Sequence, residues 1–328
     1  YMVDEIRPNL HRIEVPLPGN PLKSINSYVV TSGDRNLVID TGMMRPECER
    51  VLRAGLDELD VQLAETDFFI THLHADHMGL VTELATDTST VYFNRPDNRV
   101  VVAAREDHSR FFDRLIGHTR RGGFSEQEIE ESLREHPGYK YSPPDYPPFR
   151  FVEDGDELEV GEYRFVVVAT PGHTPGHRCL YEPEHKLFLS GDHVLGDITP
   201  NITVWAMDDD SLGDYLASLD KVAELDVELV LPGHRTSFNG FRGRIDELKR
   251  HHRHRLDEVL AVLAAGTGTA YQVASQMTWD IVAKSWQDFP VVQKWFAVSE
   301  ATSHLRYLEH RDQVVSAEQD GVLLYGLK

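Results

Sequence analysis

The segment Thr71-His-Leu-His-Ala-Asp-His77 does most to limit what this chain can fold into. It sets His72, His74, Asp76 and His77 directly after Asp67-Phe-Phe-Ile-Thr71, an apolar run that reads as a buried strand. In extended backbone alternate side chains share a face, so His72 and His74 can grip one ion. The chain turning at Asp76 and His77 offers further ligands in another direction, and one loop can therefore feed two metal ions. Imidazole and carboxylate suit zinc, iron and manganese, and the lack of a nearby thiolate points to a catalytic rather than a structural centre. A lone histidine would be a surface accident; four ligand-type residues at this spacing after a strand are not.

Other ligand-type residues also close strand-like runs. Thr170-Pro-Gly-His-Thr-Pro-Gly-His177 follows the apolar Tyr163–Ala169, and its glycines and prolines force a tight loop that presents His173. Ser190-Gly-Asp-His193 follows Leu187–Leu189 and presents Asp192, and Leu231-Pro-Gly-His234 follows Val227–Leu231 and presents His234. Earlier, Asp40 ends the run Asn36–Asp40 and precedes Thr41 and Gly42. Its carboxylate is expected to hydrogen-bond a metal-ligating histidine and orient the ring.

Together these segments resemble the metallo-β-lactamase fold superfamily, in order and in strand-end placement, over roughly residues 10 to 240. The resemblance implies an α/β fold: a four-layer αββα sandwich with two sheets face to face and helices outside. It assigns His72, His74 and His173 to one metal, Asp76, His77 and His234 to another, and Asp192 to the bridge between them. The implied cofactors are two divalent ions, zinc first and iron or manganese as alternatives, sharing a hydroxide that attacks the substrate. Asp76 is expected to steer that hydroxide and pass its proton to the leaving group. His177 is expected to support the ligands rather than join them, and His193 and Asp197 to be structural.

At 328 residues the chain exceeds the usual size of a single core, so a second, smaller unit is expected. The division expected is a metal-hydrolase domain over 1–240, with a helical insertion at about 95–148, and a C-terminal domain over 241–328. The net charge of -21 works against attraction to nucleic-acid backbone or anionic lipid. Cys48 and Cys179 sit in no ligand motif and read as buried free thiols. No run is long and apolar enough for a membrane span, and the first residues lack the order of a signal peptide. A cytoplasmic location is the expectation.

Short strand-like runs at Leu10–Val15, Ser27–Thr31 and Asn36–Asp40 suggest an opening antiparallel meander. Helical patterning follows at Pro46–Leu59, Met78–Ala85, Asn98–Gly117, Ser125–His136 and Ser211–Leu225, the last with Ser211 as its N-cap. Ser125 and Glu128 form a capping-box signature. Arg99, Arg105, Arg110, Arg114, Arg120 and Arg121 lie beside the apolar Phe111, Phe112, Leu115 and Ile116. Such an insertion is either a lid over the site, with Arg114, Phe111 and Phe112 meeting an anionic, apolar substrate, or an amphipathic helix pair packed on the body. Asn201 and Trp205 follow Asp192 closely and are expected to shape the pocket.

Beyond residue 240, helices at Asn239–Ala265, Thr269–Met277 and Val291–His310, with a hairpin from Gln313–Val315 and Gly321–Tyr325, resemble a winged-helix domain. Residues 246–328 carry 9 Lys or Arg and 11 Asp or Glu, which is not the basic face DNA demands. The basic run Lys249–Arg255 reads as a solvated helix face first and an RNA contact second. The expected activity is hydrolysis of a thioester or ester of the acyl-CoA or glutathione-conjugate type, a resemblance to glyoxalase II and thioesterase-like members. The main alternative is a single-stranded RNA endonuclease. Lactonase, β-lactamase, mononuclear-iron oxygenase and an idle ligand sensor stand behind it. The expected partner is a small acyl molecule, with no nucleic acid and no membrane, and a homodimer is plausible.

Overall fold

The computed structural model describes residues 2–106, 116–135, 140, 141, 143, 145–206, 208–280 and 283–328. Its first sheet runs in chain order through β1 (Val3–Arg7), β2 (Leu10–Pro16), β3 (Ser24–Val30), β4 (Asn36–Ile39), β5 (Thr66–Phe69), β6 (Val91–Phe93) and β7 (Phe149–Phe151). β2 to β4 form the expected antiparallel meander, β1 adds an antiparallel strand before it that was not expected, and β4 to β7 are parallel. The second sheet has the order β12-β11-β10-β9-β8. Its strands are β8 (Glu157–Val160), β9 (Tyr163–Ala169), β10 (Arg178–Glu182), β11 (Leu187–Gly191) and β12 (Leu229–Pro232), with only β11 and β12 parallel.

Strand periodicity decides which residues fill which layer. Successive side chains point to opposite faces, and here both faces of both sheets are covered, so the central strands read as continuous apolar runs. Tyr28, Leu37, Ile39 and Phe69 of the first sheet meet Phe165, Val167, Leu180, Leu189 and Leu231 of the second in the core between the sheets. Their neighbours Val29, Val38 and Phe68 face outward, against Cys48, Leu52 and Leu56 of α1 (Pro46–Glu58). Here a Cβ on Gly55 would lie 2.8 Å from Ile13, so glycine sets how closely α1 approaches β2. On the other side Val168, Phe188 and Val230 face Leu212, Tyr215 and Leu219 of a helix over Ser211–Ala223 and Phe241, Ile245 and Leu248 of one over Phe241–Ala264. The expected four-layer αββα sandwich is present.

The helix expected at Met78–Ala85 is instead two short ones, α2 (Ala75–Met78) and α3 (Val81–Leu84). Leu80 N donates to Gly42 O at 3.0 Å rather than to a helical carbonyl, and this breaks the helix between them. Helix α4 (Arg95–Glu106) and α5 (Glu126–Glu135) belong to the insertion, and the Ser125–Glu128 capping box closes in both directions, at 3.3 and 3.2 Å. The cap of α6 (Ser211–Ala223) is Asp210, not Ser211: its carboxylate accepts from Gly213 N at 3.1 Å.

The C-terminal elements are α7 (Phe241–Ala264), α8 (Ala270–Ala274), α9 (Val291–His310) and the hairpin of β13 (Val314–Gln319) with β14 (Val322–Leu327). Phe124 and Ile129 of the insertion share one hydrophobic cluster with Val259, Val273, Trp295, Leu305 and Tyr325. Glu128 also accepts a bond from Tyr271 Oη at 2.8 Å. Residues 124–135 thus pack on the C-terminal helices, while residues 107–115, on which the choice between a lid and a packed helix pair turns, lie outside the described residues. The solvated face read into Lys249–Arg255 holds for Arg250, Arg253 and His254 only. His252 and Arg255 are buried, because they share the packed face of α7 with Leu248 and Val259. Cys48 and Cys179 are buried free thiols, and no described helix is long and apolar enough to cross a membrane.

The core between the sheets holds the metal loops together, so truncating it should destabilise without touching a ligand. Phe165→Ala is expected to lower unfolding free energy by about 3–5 kcal/mol, read as a shift of the urea midpoint at unchanged slope. A loss under about 1 kcal/mol would show that this ring is not part of a close-packed core.

Candidate metal centre

The ends of β4, β5, β9, β11 and β12 converge on one rim of the sandwich, and each delivers side chains there. His72, His74, His173 and Asp192 form one group of donor atoms, and Asp76, His77 and His234 form a second; within each, the atoms lie within 4.8 Å of one another. His72 Nε2 and His173 Nε2 are each 3.0 Å from His74 Nδ1. Asp192 lies against both groups. One of its oxygens is 3.4 Å from His77 Nε2, and the other is 3.6 Å from both His173 Nε2 and His234 Nε2. That is the place a bridging carboxylate would take.

The far side of each imidazole fixes which nitrogen faces inward. His77 Nδ1 donates to Asp40 Oδ2 at 2.7 Å, His173 Nδ1 to Asn201 O at 2.7 Å, and His234 Nδ1 to Ser24 O at 2.7 Å. His72 Nδ1 donates to Thr71 Oγ1 at 3.0 Å. Each of these rings thereby turns Nε2 toward the cluster, bare in His72 and His173, and carrying a proton in His77 and His234, which the adjacent carboxylates hold well above the ordinary imidazole value. His77 Nε2, His234 Nε2 and Asp192 Oδ1 are buried with no hydrogen-bond partner. Such atoms are costly unless a ligand completes them. Bare imidazole nitrogens beside carboxylate oxygens are the donor set of a divalent ion, and the residues fit one.

The electrostatics agree. Burial, reinforced by neighbouring histidines, holds His72 well below its ordinary value and His74 down at about 3, so these rings are neutral donors. Burial also disfavours the cationic form of His234, but Asp192 and Asp76 outweigh it and hold the ring up at about 10. Burial likewise opposes ionisation of Asp76, yet His234, whose Nε2 lies 3.4 Å from its carboxylate, and the nearby His77 bring it down to about 2. The carboxylates thus demand positive charge, which protons supply when no metal does.

Asp40, expected to orient a histidine, orients His77. The same carboxylate accepts from Thr71 N at 2.9 Å and Thr71 Oγ1 at 2.8 Å, so it also seats the loop. Its backbone is left-handed, with φ of 59°, a conformation that costs a non-glycine residue about 1 kcal/mol or more. His177 uses both nitrogens elsewhere: Nδ1 faces Thr170 Oγ1 at 2.8 Å and Nε2 accepts from Asp192 N at 3.1 Å. It therefore holds the backbone of Asp192. Gly233 leaves the room this needs, since a Cβ there would lie 2.7 Å from Asp192 Oδ1 and 2.8 Å from His77.

Of the residues expected at the substrate, Trp205 stands beside the site, its ring 5.9 Å from that of His74 and its Nε1 donating to His173 O at 3.3 Å. Asn201 turns its side chain away from the pocket, to Phe296 O at 3.2 Å and Glu300 Oε2 at 3.1 Å. Phe111, Phe112 and Arg114 lie outside the described residues. His193 is buried beyond both donor groups, as expected of a structural residue.

Sequence reasoning missed Asp97. On the first turn of α4, its buried carboxylate accepts from Leu73 N at 3.0 Å, Thr174 Oγ1 at 2.8 Å and Gly176 N at 2.6 Å. It thus ties the His72–His77 loop to the His173 loop. Burial pushes it up to about 6, against the pull of those bonds. The signal was Asn94-Arg-Pro96-Asp97, a capping residue and proline ahead of an acid. Asn94 Oδ1 accepts from Asp97 N at 2.8 Å, whereas the helix was read as starting at Asn98.

Comparison with known proteins gives this geometry a lineage. The pattern of the metallo-beta-lactamase superfamily matches residues 20–234. A probable metallo-hydrolase of Bacillus subtilis is 26% identical over 315 residues, covering 93% of each chain. An atrochrysone carboxyl ACP thioesterase of Aspergillus fumigatus is 25% identical over 265 residues, covering 79% of this chain and 67% of that one. The crystal structure of a metallo-beta-lactamase family protein from Thermus thermophilus superposes with a TM-score of 0.83 at 26% identity, covering 99% of this chain and 100% of the other. Family match, shared fold and the paired histidine–aspartate groups lead to one conclusion: the chain belongs to the metallo-beta-lactamase superfamily and is a metal-dependent hydrolase.

Proposed function

We propose that the chain hydrolyses a thioester or ester of a small acyl compound with two divalent ions, zinc first. The observation that carries this reading is Asp192, whose carboxylate lies against both donor groups at 3.4 and 3.6 Å. His72, His74 and His173 would hold one ion, Asp76, His77 and His234 the other, and Asp192 would join them. Bound there, the ions supply Lewis acidity toward the acyl carbonyl and lower the pKa of water toward neutrality. The thioester preference is supported by the named activity of the thioesterase relatives from Aspergillus fumigatus and Emericella nidulans. The acidic surface of this chain gives it no attraction for an RNA backbone.

The protein's own groups then have defined tasks. Asp76 Oδ2, 3.4 Å from His234 Nε2, is a carboxylate at the reacting centre that takes the proton from the attacking water and returns it to the leaving thiol or alcohol. The water oxygen joins the acyl carbon, the carbon–sulfur bond breaks, and acid and thiol leave. Asp40, Asn201 O and Ser24 O keep the imidazoles aligned through the cycle. Trp205 walls the side of His74 with an apolar ring and limits access of bulk water. The C-terminal elements over 241–328 are a second unit of winged-helix type in this reading, serving the pocket rather than DNA.

Metal analysis of the purified protein, paired with turnover of acyl-CoA, glutathione and acyl-carrier thioesters, a lactone, a β-lactam and a single-stranded RNA, tests this. Two ions per chain with thioester cleavage are expected. RNA cleavage alone, or one iron and no hydrolysis, would overturn the proposal. Asp192→Ala should lose metal and bring turnover to the uncatalysed level, and full activity in that variant would exclude the paired centre. Asp40→Asn, which leaves His77 without its acceptor charge, should weaken binding of one ion by about 10- to 100-fold, measured by competition with a chromophoric chelator.

A further inference from the structure

The loop that follows Asp192 is fastened to the C-terminal helices and not to the sandwich alone. Arg244 of α7 donates from Nε to Leu195 O at 2.7 Å and from a terminal nitrogen to Ile198 O at 2.8 Å. Ser303 of α9 donates to Ile202 O at 2.9 Å. Between these anchors Asn201 faces two ways. Its carbonyl accepts the Nδ1 proton of His173 at 2.7 Å, and its side-chain amide donates to Glu300 Oε2 at 3.1 Å and to Phe296 O at 3.2 Å, both on α9. Glu300 is 8% exposed and is itself backed by Arg255 of α7, at 3.7 Å.

We propose that Glu300 is a positioning residue for His173, acting through Asn201, so that helix α9 completes the first metal site from behind. The physical reason is tautomer control. His173 presents an unprotonated Nε2 only while Nδ1–H has a fixed acceptor, and a carbonyl on a loop is fixed only as well as the loop. Asn201 lies 28 residues from His173 in sequence, and its side-chain amide is held by the Glu300 carboxyl and the Phe296 carbonyl. The Glu300 oxygen gives that amide a fixed acceptor at 3.1 Å, and its burial excludes competing water. The C-terminal unit therefore acts on the metal site through geometry, without touching substrate.

The inference rests on the metal-binding reading of the site, and the test separates the two. Metal-free wild type, Glu300→Ala, Glu300→Gln, Asn201→Ala and the double alanine variant are titrated with Co²⁺ against a chromophoric chelator, following the ligand-field bands. Leu308→Ala, a core truncation on the same helix, controls for destabilisation. In wild type two ions are expected; failure there sinks the metal reading itself. If it holds, Glu300→Ala and Asn201→Ala should each weaken one of the two ions by about tenfold, with altered bands for that ion. The double variant should be no worse than the weaker single. Glu300→Gln, which keeps an acceptor for the amide, should recover most of the affinity, and Leu308→Ala should bind both ions as wild type does. Unchanged affinity in folded Glu300→Ala and Asn201→Ala, additive losses in the double variant, or an equal loss in Leu308→Ala would overturn the proposal.

Discussion

The structure depends on a cluster of buried donor atoms that are satisfied only by a positive charge. His72, His74 and His173 turn nitrogens toward one point, and Asp76 and Asp192 add carboxylates beside them, all buried except the half-buried His74. Without a metal ion this arrangement is unfavourable, because the buried carboxylates have lost water and only protons on His77 and His234 stand in for the missing charge. Everything near the site can be understood as holding that arrangement open. Asp40 stays in a left-handed conformation, glycines remove Cβ atoms from the loops, and backbone carbonyls from a distant strand, at Ser24, and a distant loop, at Asn201, accept from the outward sides of the rings.

The supports form a graded set. Asp40, Asn201 O and Ser24 O touch the imidazoles directly. Behind them, Asp97 fastens two loops to each other through main-chain amides, and His177 holds the backbone of Asp192. Further out, α7 and α9 secure the loop carrying Asn201. Each layer is better packed than a loop on its own would be. This gives a rim of loops the precision of a scaffold, which chemistry at a metal centre requires.

Much of the site was legible because its ligands lie in short motifs at the ends of apolar runs, where residue type and local spacing carry the message. The layered sandwich was legible for a related reason: strands buried on both faces give unbroken apolar runs such as Leu187-Phe-Leu189. What stayed hidden acts over distance or toward backbone. Asp97 bonds to main-chain amides of residues 73 and 176, which leave no mark in sequence. That Asp40 serves His77, rather than another histidine, follows from the turn into α2. Helix α9 buries Glu300, Ser303 and His304 with its apolar residues, so its polar positions read as surface. Asp210 was passed over for Ser211 because adjacent capping-type residues cannot be ranked by type alone.

The donor groups draw on both sheets: residues 72–77 and Asp40 belong to the first, and His173, Asp192 and His234 to the second. Neither half of the chain owns a complete ion site, and the nearest ligands from the other sheet are separated from the His77 loop by the entire insertion. Such contacts form late, since long loops must close before they are rewarded. Metal capture therefore cannot nucleate this protein. It requires the two sheets to be docked in register, and a chain that misaligned them by one residue would hold no complete ion site.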